Sequence, residues 1–488
     1  MRKDDGLYLL VKSLNKNEKR YINIQLSENL RSGESTLLVL FKFIEVLIKK
    51  KEHITHDVFI QKSGIKHIYS TKRLLKEAIL RGLRNYHENL NFRWKIETLR
   101  KNSELFLSKR LPKQALKEID KAIDLAHQHE AHILICELET LRLECHKEIF
   151  DSKTLLSKIE STYNEIDVSL YYSKEFFKHK LSYERVRAKF KINGVARNKN
   201  EQEKYKKEYQ ENHPKLNTTN MQSHCFINSA FKGMHSFVIG EFEASYQASK
   251  EMYDILNNNP HEKEDSPKQY LTTIYRMIVN SYFTQRTHEI HIYLDSFRSA
   301  ETKLFSDYLF KIERYYNIAF NFRLNENDLE SLDKLTTEFE LIFDRLESHM
   351  DWEFKLILIG QCANIFLFTK HIKKAKKWNR MLLFSTKEKI RGDIMATSFM
   401  RDLIITFEEK KIDLLLSKLK NIRARLSSKK KLYSAELAII KAFQEIIDQN
   451  LFDDNAEVLD KIERVFEDPN NSRILDQFNY VRYFQSKL

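Results

Sequence analysis

Residues 96–128 read IETLRKNSELFLSKRLPKQALKEIDKAIDLAHQ, and they leave the chain few ways to fold. Leu99, Ser103 and Phe106 fall on one helical face, and a break follows at 109–112. Ala115, Leu116, Ile119 and Ala122 then share one face of a second helix. Two short amphipathic helices with small residues where they cross make a helical hairpin. Such a hairpin cannot bury its apolar faces alone, so neighbours must stack on both sides of it.

The hairpin resembles a tetratricopeptide repeat. Ser103 stands at the small position of the first helix, and Ala115 and Ala122 at the two small positions of the second. Where that family carries Gly and Tyr at the turn, this chain has Arg110 and Pro112. Two later stretches carry the same signature: Gly233, Gly240, Phe242 and Ser245, then Ala363, Phe366, Ile372 and Ala375. Ala115, Ser245 and Ala375 are separated by two intervals of 130 residues, which fits three units of about 43 residues in each interval. Sustained helical periodicity, with only nine Gly and five Pro in 488 residues, argues for helix throughout. The Pro residues 112, 214, 260, 267 and 469 fall at or between predicted helix ends, where they cost least. The expected fold is all-α: a small basic helical module over 1–95, then a tetratricopeptide-like α-solenoid of hairpins over 96–488.

In the first module, Asn15 with Glu18 forms a capping-box pattern. Ser35 caps the next helix, TLLVLFKFIEVLIKK, which is apolar over more than half its circumference and should be central. A short helix near 56–62, a turn at Ser63-Gly64 and a longer helix from about 66 to 87 outline a helix-turn-helix over 55–88. On the longer helix Ile68, Leu75, Ala78, Ile79, Leu83 and Tyr86 share one face; Lys66, Lys72, Arg73, Lys76, Arg81 and Arg84 share the other. Residues 1–110 hold 24 Lys+Arg against 12 Asp+Glu, which leaves only +2 of the net +14 for the rest. That asymmetry suits an acidic partner, nucleic acid among them, or a solvated basic face.

Hairpins are expected at 132–148 with 151–167, 169–192 with 199–211, 221–239 with 241–257, and 268–285 with 287–303. They continue at 308–323 with 328–346, 352–369 with 371–387, 393–408 with 411–427, and 431–449 with 453–467, before a closing helix at 472–487. The resemblance to a tetratricopeptide superhelix implies that first helices present the face away from the second-helix crossing to a concave groove. Register set by Gly233 places Ile227, Ala230, Met234 and Phe237 there; register set by Ala363 places Ile357, Gly360, Asn364 and Leu367 there. The first unit offers Glu97, Arg100 and Glu104 instead. An open apolar groove would bind an extended segment or a helix, with Asn364 as a polar handle; tight coiling would make the same residues core.

Catalytic and cofactor motifs are absent from the sequence: there is no Walker loop, dinucleotide fingerprint or nucleophile elbow. His127, His129, His132 and Cys136 come closest to a metal cluster, but no complete ligand set is visible, and His near a helix C-terminus is explained by the dipole. The basic runs at 49–51, 373–377 and 429–431 read as helix-end charges. Cys136, Cys145, Cys225 and Cys362 lack paired spacing and read as small buried hydrophobes of a reducing compartment. The opening MRKDDGLYLLVKSL lacks the apolar run of a secretory leader, and no stretch approaches the ~20 apolar residues of a membrane span. A cytoplasmic location is therefore expected.

The phrases LYLLVKSLNKNEKRYINI, LLKEAILRGLRNY and FNYVRYFQSKL resemble those of uncharacterised tetratricopeptide-repeat-like proteins of Bacteroidetes, along the whole chain. That resemblance implies no activity. The function expected from the residues is a non-catalytic protein-interaction scaffold, without cofactor, metal or membrane, binding a protein or peptide in the repeat groove. The second reading is a nucleic-acid-binding regulator acting through residues 55–88.

Overall fold

The computed structural model of the chain describes residues 6–28, 36–50, 64–65, 67–196, 199–212, 221–302, 304–384, 392–427, 434–468, 471, 474–475 and 478–488. Among these residues the chain forms 23 helices and no strand, as the periodicity predicts. Two compact units emerge: 1–174 with 260–267 and 302–307, and 175–259 with 268–301 and 308–488.

The first unit opens with α1 (Gly6–Ser13), α2 (Lys16–Glu28), α3 (Thr36–Lys49) and α4 (Ile68–Tyr86). The capping box forms: Asn15 N–H donates to Glu18 Oε2 at 2.8 Å, and Glu18 N–H to Asn15 Oδ1 at 2.9 Å. α3 is central, with Leu38, Leu40, Phe41, Ile44 and Leu47 buried against Ile68, Leu75 and Ile79 of α4. The expected short helix near 56–62, the cap at Ser35 and the basic run at 429–431 lie outside the described residues.

α5 (Phe92–Ser108), α6 (Pro112–Gln128) and α7 (His132–Ile149) hold a second core around Ile96, Ile119 and Ile135. α12 (Pro260–Asp265), which the periodicity did not predict, belongs to this unit. The His129 side chain, 4% exposed, lies 2.7 Å from Glu262 and 3.3 Å from Asp265 and stacks on Phe92. His127 instead meets Glu165, and His132 the Tyr172 ring, so the histidines that crowd together in sequence serve separate packing roles.

The small positions read from sequence are the helix crossings. Ser103 Oγ donates to the Ala115 carbonyl at 3.0 Å, and Ser245 Oγ to the Gly233 carbonyl at 2.9 Å, each pair twelve residues apart. Ala363 and Ala375 have the same separation and are fully buried. A Cβ on Gly233 would stand only 3.2 Å from that of Ala248.

One expectation fails at 151–192. Two helices were expected there, and the chain instead runs as the 42-residue helix α8 (Ser152–Asn193), which begins in one unit and ends in the other. The residues at the expected break are Asp167, Val168 and Ser169, and without Gly or Pro nothing interrupts the backbone ladder.

In the second unit α9 (Lys199–Asn212) precedes regular hairpins: α10 (Gln222–Ile239) with α11 (Phe242–Asn257), and α13 (Pro267–Phe283) with α14 (Thr287–Ser299). α15 (Phe305–Glu326) pairs with α16 (Leu329–Leu346), and α17 (Trp352–Phe368) with α18 (Ile372–Leu383). α19 (Gly392–Glu408) with α20 (Ile412–Ser427) and α21 (Ser434–Asp448) with α22 (Asn455–Val465) follow, then α23 (Tyr480–Gln485).

The turns between paired helices share one geometry. Gly240, Gln285, Asn327, Lys370, Lys410 and Asn450 all have positive φ and recur every 40–45 residues. The residue after each donates its N–H back to a carbonyl five positions earlier, as Arg286 does to Ser281 at 2.8 Å and His371 to Phe366 at 2.8 Å. This is a Schellman closure, with the left-handed residue just past the helix end. The spacing expected from the small residues therefore holds from Ser245 to Ala375, where hairpin follows hairpin, and not from Ala115 to Ser245, where α8 intervenes.

Candidate functional site

First helices of the hairpins are joined by polar side chains one repeat apart. Asn317 Nδ2 donates to Tyr275 Oη at 2.7 Å, and Gln361 Nε2 donates to Asn317 Oδ1 at 2.8 Å, so α13, α15 and α17 are tied in sequence. Asn325 Nδ2 donates to Tyr282 Oη at 2.8 Å. These bonds follow from α15 reading NIAFNFRLN over 317–325, which sets Asn317, Asn321 and Asn325 four apart on one stripe. Asn321, between the two tied residues, is exposed and forms no hydrogen bond among the described residues.

That stripe lines a cleft of about 240 Å³. Asn364 of α17, buried, also lines it. Apolar walls come from Ile278, Val279 and Phe283 of α13, Ile290 of α14, Ile318 and Phe322 of α15, and Phe368 of α17. Leu475, Phe478, Asn479 and Arg482 also line it, as do Tyr282 and Leu324. The terminal segment is held there by packing: the Phe478 and Tyr483 rings lie 5.7 and 5.5 Å from that of Phe368. Tyr483 Oη donates to Glu408 at 2.8 Å, and burial with this carboxylate raises the phenol's pKa. Asn479 Oδ1 caps α23 by accepting from the Arg482 N–H.

Among the described residues Arg482 is the one charged member of the lining, and no Asp or Glu contributes to it. Its Nη2 donates to Asn327 Oδ1 at 3.2 Å, and it meets no carboxylate among the described residues. Nearby arginines are neutralised: Arg323 pairs with Asp328 at 3.0 Å, and Arg286 with Glu243 at 2.9 Å. The cleft thus offers amide donors and acceptors, a cation without an ion pair among the described residues, and apolar walls.

Of the residues expected to face a groove, only Asn364 lines this cleft. Ile227 is buried beneath Phe176 and Tyr183 of α8. Phe237, half-buried, meets the rings of Phe190 of α8, Phe242 and Phe283. Leu367 is 1% exposed, and Met234 and Ile357 are half-buried. The expectation of an open apolar groove is corrected at Ile227, Phe237 and Leu367: the second half of α8 lies along α10 and covers it, and Leu367 faces the interior. At the first hairpin Arg100 instead bridges Glu97 and Glu104, and this holds the Glu97 carboxyl below its usual pKa.

On α4, Tyr69, Arg73, Lys76, Leu80 and Arg84 form one exposed stripe, with Arg81 exposed at its edge. Arg73 lies 4.0 Å from Glu77, while Lys76, Arg81 and Arg84 have no ion pair among the described residues. Lys72 is half-buried, and Lys66 lies outside the described residues. Tyr69, 65% exposed, adds an aromatic plane to the basic stripe.

The sequence reading missed Asn317, Asn321, Asn325 and Arg482. The four-residue recurrence of Asn was legible in the sequence; that Arg482 would stand beside it was not. Among the described residues no group of three His, Cys, Asp or Glu gathers as a metal site requires, and no helix is long and apolar enough to cross a membrane. No protein-family model, curated protein or solved structure matches the chain.

Proposed function

We propose that the protein is a non-catalytic interaction scaffold that binds a polypeptide segment in the asparagine-lined cleft of its second unit. The observation that carries this reading is a cleft lined by the stripe of Asn317, Asn321 and Asn325 together with Asn364, Arg482 and apolar side chains. An Asn side chain presents one acceptor and two donors, the same complement a peptide bond must satisfy. An extended segment brings unpaired N–H and C=O groups with alternating side chains, and amides between apolar patches serve both. Asn317 is already committed to Tyr275 and Gln361, which fixes the stripe; Asn321 remains open.

The test is selection of binders from a displayed peptide library on the full chain. Selected peptides should bind about 3- to 10-fold more weakly to Asn321→Ala, the loss expected of one neutral hydrogen bond. They should bind Lys76→Glu as tightly as the wild type. Peptides indifferent to Asn321 but sensitive to Lys76 would move the binding surface elsewhere.

A second reading is favoured by one observation: Lys76, Arg81 and Arg84 stand exposed and without an ion pair among the described residues, on the same helix as the exposed Tyr69. Cations interleaved with an aromatic ring suit nucleic-acid phosphates and an unstacked base. Lys76→Glu with Arg84→Glu should then weaken binding to single-stranded or duplex DNA and lower its salt slope by about two. Absence of any gel shift at low salt removes this reading.

A further inference from the structure

We infer that the group anchored in the cleft is a carboxylate carried on an apolar residue, namely the free C-terminal residue of a partner polypeptide. This rests on the cleft being a polypeptide site and goes further by naming which part of the polypeptide it holds.

The charge balance comes first. Arg482 spends one bond on Asn327 Oδ1 and faces no carboxylate among the described residues. A guanidinium has five N–H donors in a planar fork that matches a carboxylate with two parallel bonds. Among the described residues no acidic side chain lines the cleft. The amide of Asn321, without a partner among the described residues, adds a neutral donor in the same lining. A neutral ligand would leave the cation unanswered, and a cationic ligand would be repelled.

Size and wall chemistry choose among anions. The cleft holds about 240 Å³, below the roughly 300–1,000 Å³ of sites for drug-sized ligands. A cleft of that size suits one residue with its backbone terminus better than a drug-sized ligand. Ile278, Phe322 and Phe368 in the lining suit a branched or aromatic side chain. A C-terminal residue brings carboxylate and apolar side chain together on one Cα. An acidic side chain within a longer segment would need further room for the neighbour that fills the apolar walls. Phosphate would bring about two negative charges to one guanidinium and no apolar group.

The experiment uses the full-length protein and two pools of acetylated heptapeptides. Both are randomised at the first six positions and end in Leu, Ile, Val or Phe. One pool carries a free carboxylate and the other a C-terminal amide. Affinity selection with mass-spectrometric readout should enrich the free-acid pool alone. Its best ligands should lose about ten- to a hundredfold in affinity on amidation or with Arg482→Gln, the loss expected of a charge-assisted pair. Since Arg482→Gln could unseat α23, Asn321→Ala on α15 serves as the second variant; it should weaken the same ligands while circular dichroism stays unchanged. Equal binding of both pools that is weakened by Asn321→Ala overturns the carboxylate anchor and leaves the peptide cleft standing. Binding of neither pool removes both. N-Acetyl-leucine binding as tightly as the best heptapeptide by calorimetry overturns the polypeptide source in favour of a small carboxylic acid.

Discussion

Replacing Lys370 by Gly should make the protein more stable, although it deletes a charged side chain and adds no contact. Lys370 has φ 61° at the turn between α17 and α18, and its exposed side chain has no partner among the described residues. The left-handed conformation costs an L-residue other than Asn or Gly roughly 1–2 kcal/mol. Glycine removes that strain but has more backbone freedom to lose on folding, which takes back roughly 0.5–1 kcal/mol. The net expectation is a gain of about 0.5–1 kcal/mol. Gln285, at φ 59° and also exposed without a partner, should behave alike, and the two changes should add because they sit in different turns. Gly240, at φ 84°, is the mirror control, and by the same balance Gly240→Ala should cost about 0.5–1 kcal/mol. Asn450 at φ 57° should change little on replacement by Gly, because its short polar side chain tolerates this region. Urea unfolding followed by circular dichroism, comparing midpoints at constant slope, reads all four. A loss of stability in Lys370→Gly together with a neutral Gly240→Ala would refute the claim that one strained geometry closes every hairpin.

Three further outcomes follow from burial. Phe237→Ala removes a ring set among Phe190, Phe242 and Phe283 and should cost about 2–4 kcal/mol in the same assay, whereas near-native stability would return that face to an open groove. Glu139 of α7 is 1% exposed, and burial raises its pKa although Arg142 opposes the shift. The folded state therefore holds this proton more tightly than the unfolded chain, so stability from this group is present at low pH and is lost as pH rises through the raised pKa. Glu139→Gln should be more stable than the wild type at pH 7, with the difference shrinking toward pH 4; a pH-independent difference would contradict this. Burial also pushes the Cys145 thiol up to about 11 and that of Cys362 well above its ordinary value. Maleimide should label Cys145 and Cys362 only after unfolding, as mass spectrometry of quenched samples can check.

Helix content and hairpin pairing were legible because both depend on neighbours in sequence. The apolar stripe of a helix repeats every three or four residues, and a crossing between paired helices needs two small residues a fixed distance apart. Ser103 with Ala115, Gly233 with Ser245 and Ala363 with Ala375 satisfy that condition, and the chain crosses at all three. The proline positions are equally local: Pro112, Pro260 and Pro267 each open a helix. The turns were less legible. A left-handed residue is signalled by Gly, yet here Gln, Asn and Lys take the conformation because the packed hairpin on either side leaves the backbone no alternative. The long α8 was misread for a related reason: repeat symmetry suggested a break that the residues 167–169 do not encode.

Residue order alone dictates an all-helical chain, its hairpins and the face of each helix that must be buried. Which buried face meets which neighbour is settled by long-range packing. An apolar first-helix residue reads the same whether it faces a groove or a covering helix, since burial against α8 and burial against a ligand ask for the same side chains. Ile227 and Phe237 were covered from within the chain by Phe176, Tyr183 and Phe190, which lie far from them in sequence. The polar cleft has the same origin. Its asparagines recur on α15 at a spacing any reader can see, but Arg482 joins them from 155 residues beyond its partner Asn327. The packing of Phe478 and Tyr483 on Phe368 holds the segment that carries it. That placement depends on how the closing segment folds back, a long-range packing preference that no local pattern carries.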